Sequence, residues 1–248
     1  MSSGMHENSA AAYVHGEKVK TNPTPVDRSL DVDQSALRES LWCKPGEGYS
    51  YASGSPHVAS IVLRHLTGME LQNYIDEKLA KPMQFGRWGY ALHRGDVTLA
   101  HTPGGGSIAL RATDALRFAY LLLHNGRYQG KQLVPAEYIE LCGKPSPYNP
   151  HYPFSLQFEV NADGHVAGAP RDAFWKSGAG GFGIFVVPSL DLVVYKMAGT
   201  ERQYDPALTG LPQLYKYDGS RDNWKDTKIG ADEGVRRIVE MVSAAVVQ

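Results

Sequence analysis

Between Phe174 and Met197 the chain holds three short apolar segments in close succession, Phe174–Ser177, Phe182–Val187 and Leu192–Met197. Each is built of β-branched and aromatic residues and each reads as a strand. The glycine-rich run Ala179-Gly180-Gly181 separates the first two, and Pro188-Ser189-Leu190-Asp191 connects the last two as a hairpin. Strands joined this closely are antiparallel, and a sheet of that kind needs helices packed against it. The glycines follow directly on Lys176-Ser177-Gly178, which puts a cation and a hydroxyl donor at a strand end.

The rest of the sequence supplies the helices. Residues 45–143 read as mainly helical. Asp31 to Leu41 forms a short helix, Pro45-Gly46-Glu47-Gly48 a turn, and Pro56 to Leu66 a helix with Val58, Ile61, Val62 and His65 or Leu66 on its apolar face and Gly68 as its C-cap. A second helix runs from Glu70 to Leu79. After the break at Gly104-Gly105-Gly106, Thr113 caps a strong helix with Leu116, Phe118, Ala119, Leu122 and Leu123 on its apolar face and Gly126 as the stop. Pro135 opens another helix to Leu141. Four prolines make 145–153 a loop, and Phe154 to Val160 alternates like one strand. Strands are expected over 154–200, a long loop or insertion over 201–230, and a closing helix over 231–247 with Val235, Ile238, Val239, Val242 and Val246 on one face. This order gives an α+β fold in a single domain spanning 1–248.

Charge excludes some functions. Lysine plus arginine number 25 and aspartate plus glutamate 26, so the chain lacks the basic excess of a general nucleic-acid or anionic-membrane binder. No apolar run reaches membrane-spanning length, and residues 1–12 show no signal-peptide pattern. Cys43 and Cys142 fit no zinc or redox spacing and read as two buried thiols. The nine histidines show no metal spacing.

Two constellations carry chemistry. In Tyr49-Ser50-Tyr51-Ala52-Ser53, just ahead of a helix, Tyr51 and Ser53 stand two apart and face one side of an extended stretch. Nearby cations lower a tyrosine pKa and make it a general base; the plainer alternative is a structural tyrosine at a helix entrance. In the second, Lys176 brings positive charge, Ser177 hydrogen-bonds a carboxylate or carbonyl, Gly178 admits a substrate backbone, and the Ala179 N–H is one donor of an oxyanion hole. The alternative here is a lysine that blunts an edge strand. Gly104 to Ser107 lacks the Gly-Lys-[Ser/Thr] of a phosphate cradle, and Gly105-Gly106-Ser107-Ile108-Ala109 is one glycine short of a nucleophile elbow.

In order, these motifs resemble the serine β-lactamase-like family: class C β-lactamases, D-alanyl-D-alanine peptidases and related esterases. Tyr51-Ala52-Ser53 resembles the family's Tyr-x-Asn, with serine in place of asparagine. His57 to Met83 resembles its two helices around Thr67-Gly68-Met69, closing on Lys81-Pro82-Met83. Gly105 to Pro135 resembles its glycine turn and Thr-x-x-Asp helix, and Trp175 to Gly199 its Lys-Thr-Gly strand and final hairpin. Met1-Ser2-Ser3-Gly4-Met5 resembles the Thr-Ser-Gly-[Leu/Met] segment that follows the nucleophilic helix.

The resemblance implies a β-lactamase/transpeptidase-like fold that is incomplete here: a helical subdomain plus the C-terminal strands and last helix of the sheet subdomain. It implies acyl-enzyme chemistry on amides or esters, small-molecule or peptide substrates, no metal or organic cofactor, and often an exported protein. Tyr51 and Lys176 would be catalytic, with Ser53, Ser177, Gly178 and Ala179 binding substrate. No serine, threonine or cysteine stands three residues before any lysine. The Ser-x-x-Lys nucleophile is therefore expected to lie outside the chain, leaving it inactive alone and prone to self-association through an exposed sheet edge. A binding module that keeps part of the cleft remains the alternative.

Overall fold

The computed structural model describes residues 3–5, 12–21, 30–94, 97–147, 154–178, 182–197 and 231–246. The first part holds the hairpin β1 (Ala12–Val14) and β2 (Glu17–Val19), α1 (Val32–Arg38) and β3 (Gly48–Ser50), with β1 in the middle of a three-stranded antiparallel sheet. Next come α2 (Gly54–Thr67) and α3 (Leu71–Ile75), which runs on as a wider π turn through Asp76–Ala80. Four two-residue strands follow: β4 (Gly89–Tyr90), β5 (His93–Arg94), β6 (Val97–Thr98) and β7 (Ile108–Ala109). Then come α4 (Ala112–Leu123), the small hairpin β8 (Arg127–Tyr128) and β9 (Lys131–Gln132), and α5 (Ala136–Cys142). The main sheet is β10 (Phe154–Ser155), β11 (Phe158–Val160), β12 (Phe174–Gly178), β13 (Phe182–Val187) and β14 (Leu192–Lys196), antiparallel and in sequence order. Helix α6 (Ala231–Ala245) closes the described chain. Residues 148–153, 201–230 and the Ala179–Gly181 link lie outside the described residues.

Strict alternation builds the core. Phe174, Val186 and Val160 face α4 and α5, meeting Ala119, Leu122, Ile139 and Cys142. Trp175, Phe185 and Val187 point the other way and meet Val239 of α6. The register seals this, with Phe174 opposite Val186 and Trp175 opposite Phe185. The sheet is thus held between α4–α5 on one face and α6 on the other. Glu159 ties the α6 side together: Trp175 Nε1 donates to its Oε2 at 3.1 Å and Arg236 of α6 donates to its Oε1 at 2.8 Å. Burial pushes the Cys142 thiol up to about 11.

Several local expectations change. Phe154–Val160 is a hairpin and not one strand, because Leu156 (φ 40°) and Gln157 (φ 78°) adopt left-handed backbone and reverse the chain in two residues. Alternation runs unbroken through so tight a turn, so the pattern alone conceals it. Arg111, not Thr113, occupies the N-cap of α4. Asp114 in its first turn is fully buried and accepts from Gly86 N–H at 3.0 Å and from Arg111 Nε at 2.9 Å. Leu116 of that helix is exposed while Leu121 is buried. Cys43 is only half-buried, and both cysteines are free thiols.

The largest departure is α2. Its buried residues are Gly54, His57 and Ser60, whereas Val62 (51% exposed) and Leu66 (77% exposed) face solvent. On this face His57 and Arg64 meet Asp33 of α1, while Ser60 lies against Gly104. The reason is Asp33: from α1 it accepts from His57 Nε2 at 2.8 Å and from Arg64, so the helix pair is joined by charge and hydrogen bonds. Gly68 ends α2 as expected, with φ 69° and its N–H on Arg64 O.

Candidate active site

Strand β3 delivers Tyr51 to its place. Ser50 is 1% exposed and anchors the strand end, while Tyr49 stacks on Phe154 of β10 at 5.4 Å between ring centroids. That contact fastens the small sheet to the edge of the large one. Tyr51, next in line, is 40% exposed. From the other side comes Lys176, which shares the α4–α5 face with Phe174 by strand alternation and pairs with Ile184. The Lys176 ammonium lies 5.7 Å from the centroid of the Tyr51 ring, a cation–π distance. Two residues 125 positions apart in the sequence are therefore neighbours.

Ser53 occupies the N-cap of α2, but its backbone is already helical (φ −67°, ψ −21°), so the argument that an extended stretch sends it the same way as Tyr51 does not hold for it. Ser177 and Gly178 end β12, opposite Gly183 and Phe182. A Cβ on Gly178 would make only an ordinary contact among the described residues, 3.6 Å from the Phe182 Cβ. Ala179 lies outside the described residues.

A glycine turn presses on this edge. A Cβ on Gly105 would stand 2.5 Å from Ser53 O, and one on Gly104 would stand 2.6 Å from Pro56 O, so neither position admits a side chain. Ser107 follows with φ 68° and leads into the two-residue β7. A nucleophile elbow needs a strand before the serine and a helix after it, so Ser107 is not one. Ser3 reaches the same region, its hydroxyl 2.6 Å from that of Ser55.

Behind the turn lies a polar cluster that periodicity did not reveal. His57 (1% exposed) joins Asp33 to Gly104, whose N–H donates to His57 Nδ1 at 3.0 Å. His101 Nδ1 is 2.8 Å from Glu70 Oε1, and Thr102 N–H donates to Glu70 Oε2 at 3.0 Å. Burial pulls both carboxyls up, but hydrogen bonds from Arg64 and His57 hold Asp33 below the usual range, and those from Thr102 and His101 do the same for Glu70. The available signal was the row Gly54, His57, Ser60, Arg64, polar or small at helical spacing on a helix whose apolar stripe ran elsewhere.

Among the described residues no group of three His, Cys, Asp or Glu side chains gathers to hold a metal, and no helix is long and apolar enough to cross a membrane. An open depression of about 630 Å³ between α4, the β8–β9 hairpin and β14 is lined by Leu116, Arg117, Tyr120, Tyr128 and Val193 and includes neither Tyr51, Ser53, Lys176, Ser177 nor Gly178.

A family model for Beta-lactamase matches residues 2–211. A Bacillus anthracis protein described as a 6-aminohexanoate-dimer hydrolase is 21% identical, with 70% of this chain and 45% of that one covered at a TM-score of 0.58. EstCE1, a hydrolase with promiscuous acyltransferase activity, is 16% identical over 86% of this chain and 62% of its own, with a TM-score of 0.57. Simvastatin synthase from Aspergillus terreus is 16% identical over 66% and 52%, with a TM-score of 0.52. The chain thus spans about half to three-fifths of the length of these structures, and at such identities the likeness shows the β-lactamase/transpeptidase-like fold alone. No curated protein matches. With the family model covering most of its length, the chain belongs to the beta-lactamase family.

Proposed function

We propose that this chain forms the substrate-recognising walls of an acyl-transferring cleft, acting on an amide or ester of a small molecule or peptide. The observation that carries the reading is the approach of Lys176 to Tyr51. It sets an ammonium and a phenol, a fixed cation and a group able to relay a proton, side by side at one cleft wall. In the route proposed, a serine oxygen attacks the substrate carbonyl and its proton passes to Tyr51, assisted by a lysine neighbouring that serine. The proton is then returned to the departing amine or alcohol, and water releases the acyl group by the same path. Lys176 and Ser177 orient a substrate carboxylate or carbonyl, Gly178 leaves room for its backbone, Ser53 lines the cleft, and the Ala179 N–H meets the oxyanion.

No Ser-x-x-Lys occurs in residues 1–248, so in this reading the attacking serine is not among these residues and the chain by itself binds without turnover. Loss of the nucleophile costs about a millionfold in kcat in another serine hydrolase, too much for the remaining walls to offset. Ser53 in place of asparagine points the same way, since a hydroxyl cannot bridge as an amide does.

A fluorescent penicillin and a fluorophosphonate probe test the missing nucleophile: neither is expected to label the 248-residue chain covalently. Labelling would reveal a serine that the motifs do not show. The cleft itself is tested by titrating D-alanyl-D-alanine against the 15N-labelled chain. Saturable shifts at Ser53, Ser177 and Gly178 are expected, and shifts confined to other regions overturn the assignment.

A further inference from the structure

We propose that His57 is a positioning residue that sets the glycine turn against Ser53. The claim rests on the proposed cleft only in calling this turn one of its walls. A backbone amide has a proton to give and nothing to accept with, so the Gly104 N–H at 3.0 Å requires a bare lone pair on His57 Nδ1. The ring proton is then on Nε2, directed at Asp33 Oδ1 at 2.8 Å. The tautomer follows from the heavy atoms, and it makes the neutral imidazole a one-way link from the α1 carboxylate to the turn.

The steric side of the link is equally specific. Gly104 has no room for a Cβ against Pro56 O and Ser60, and Gly105 has none against Ser53 O. The turn is therefore seated on the first turn of α2, and the hydrogen bond to His57 pulls it into that seat. Ser60 does not compete for the ring: its hydroxyl donates to His57 O at 2.6 Å and stands 3.4 Å from Nδ1. The other charged groups reach His57 through Asp33. Arg64 bonds that carboxylate from α2, His101 Nε2 lies 4.0 Å from it on the loop side, and Glu70 at the start of α3 holds His101 and approaches Arg64 Nε at 3.8 Å. A ring carrying its proton on Nδ1 would set two donors against each other, so the bond to the turn identifies the Nε2–H form.

Amide exchange and ring-nitrogen NMR on the whole chain test this without a substrate. In the unmodified chain His57 is expected to show an unprotonated Nδ1 and a protonated Nε2, with Gly104 protected. His57→Leu should speed Gly104 exchange about tenfold and weaken the contacts between Gly105 and Ser53. His57→Asn, which keeps an acceptor, should recover most of the protection. Gly104 exchange unchanged in a folded His57→Leu chain, or a protonated Nδ1 at neutral pH, overturns the proposal. If His57→Leu does not fold, the unmodified chain decides alone: a protonated Nδ1 or an unprotected Gly104 amide sinks it. A chain that binds no D-alanyl-D-alanine yet shows an unprotonated Nδ1 and a protected Gly104 loses the cleft reading and keeps the seat.

Discussion

On β12 the buried side chains are Phe174 and Trp175; on α2 they are Gly54, His57 and Ser60, while Leu66 lies in solvent. The sheet half is held by apolar area under geometric alternation, and the helical half by directed bonds among Asp33, His57, Arg64, Glu70 and His101. Apolar area tolerates small displacements, whereas hydrogen bonds to a buried imidazole do not. The helical half is therefore the part able to hold the glycine turn in one place, and the sheet half is the part that supplies stability.

Trp175→Ala breaks that comparison hardest. It removes a fully buried indole and the donor to Glu159, and should cost about 3–5 kcal/mol or prevent folding outright. A fall in the urea midpoint smaller than that of the polar variants would reverse the assignment of roles. Asp114→Ala should cost about 2 kcal/mol, since it frees the Gly86 N–H and takes the carboxylate from Arg111 and Arg117, although Arg117 keeps its bond to Gln84 O at 2.7 Å.

Acid sharpens the contrast further. Asp33 and Glu70 have folded pKa values lowered from 3.8 and 4.5, so their stabilisation is complete above those values and is lost as pH falls through the lowered ones. Gly104 and Thr102 amides should lose protection below about pH 4, before those of β12 and β13, at a cost of about 1 kcal/mol. Simultaneous loss across both halves would erase the distinction. Leu66→Ser should change the thermal midpoint least, by no more than about 0.5 kcal/mol equivalent, because the side chain is already 77% exposed.

The legible parts of the fold were those where one rule acts alone. Short runs of β-branched and aromatic residues set β12, β13 and β14, and Gly68 ended α2 where a C-cap was expected. Reading failed where two rules collide. The Leu156–Gln157 turn preserves alternation and so hides inside it, and the apolar stripe of α2 competed with a polar row that tertiary contacts selected. Tyr51 and Lys176 were singled out from ordered motifs, and the structure sets one against the other. Asp33 and His57 carried no such pattern, because their partnership is made between two helices and a distant glycine, not along any one of them.

Trp175 and Lys176 are consecutive yet serve opposite sides of the sheet. One residue inserted or deleted just ahead of them would turn the strand over, sending the ammonium beneath α6 and the indole toward the tyrosine. The same edit would spoil the hydrophobic layer and the cleft together. Length changes in this strand can therefore survive only in twos, and an odd-numbered indel here should be as damaging as removal of the strand.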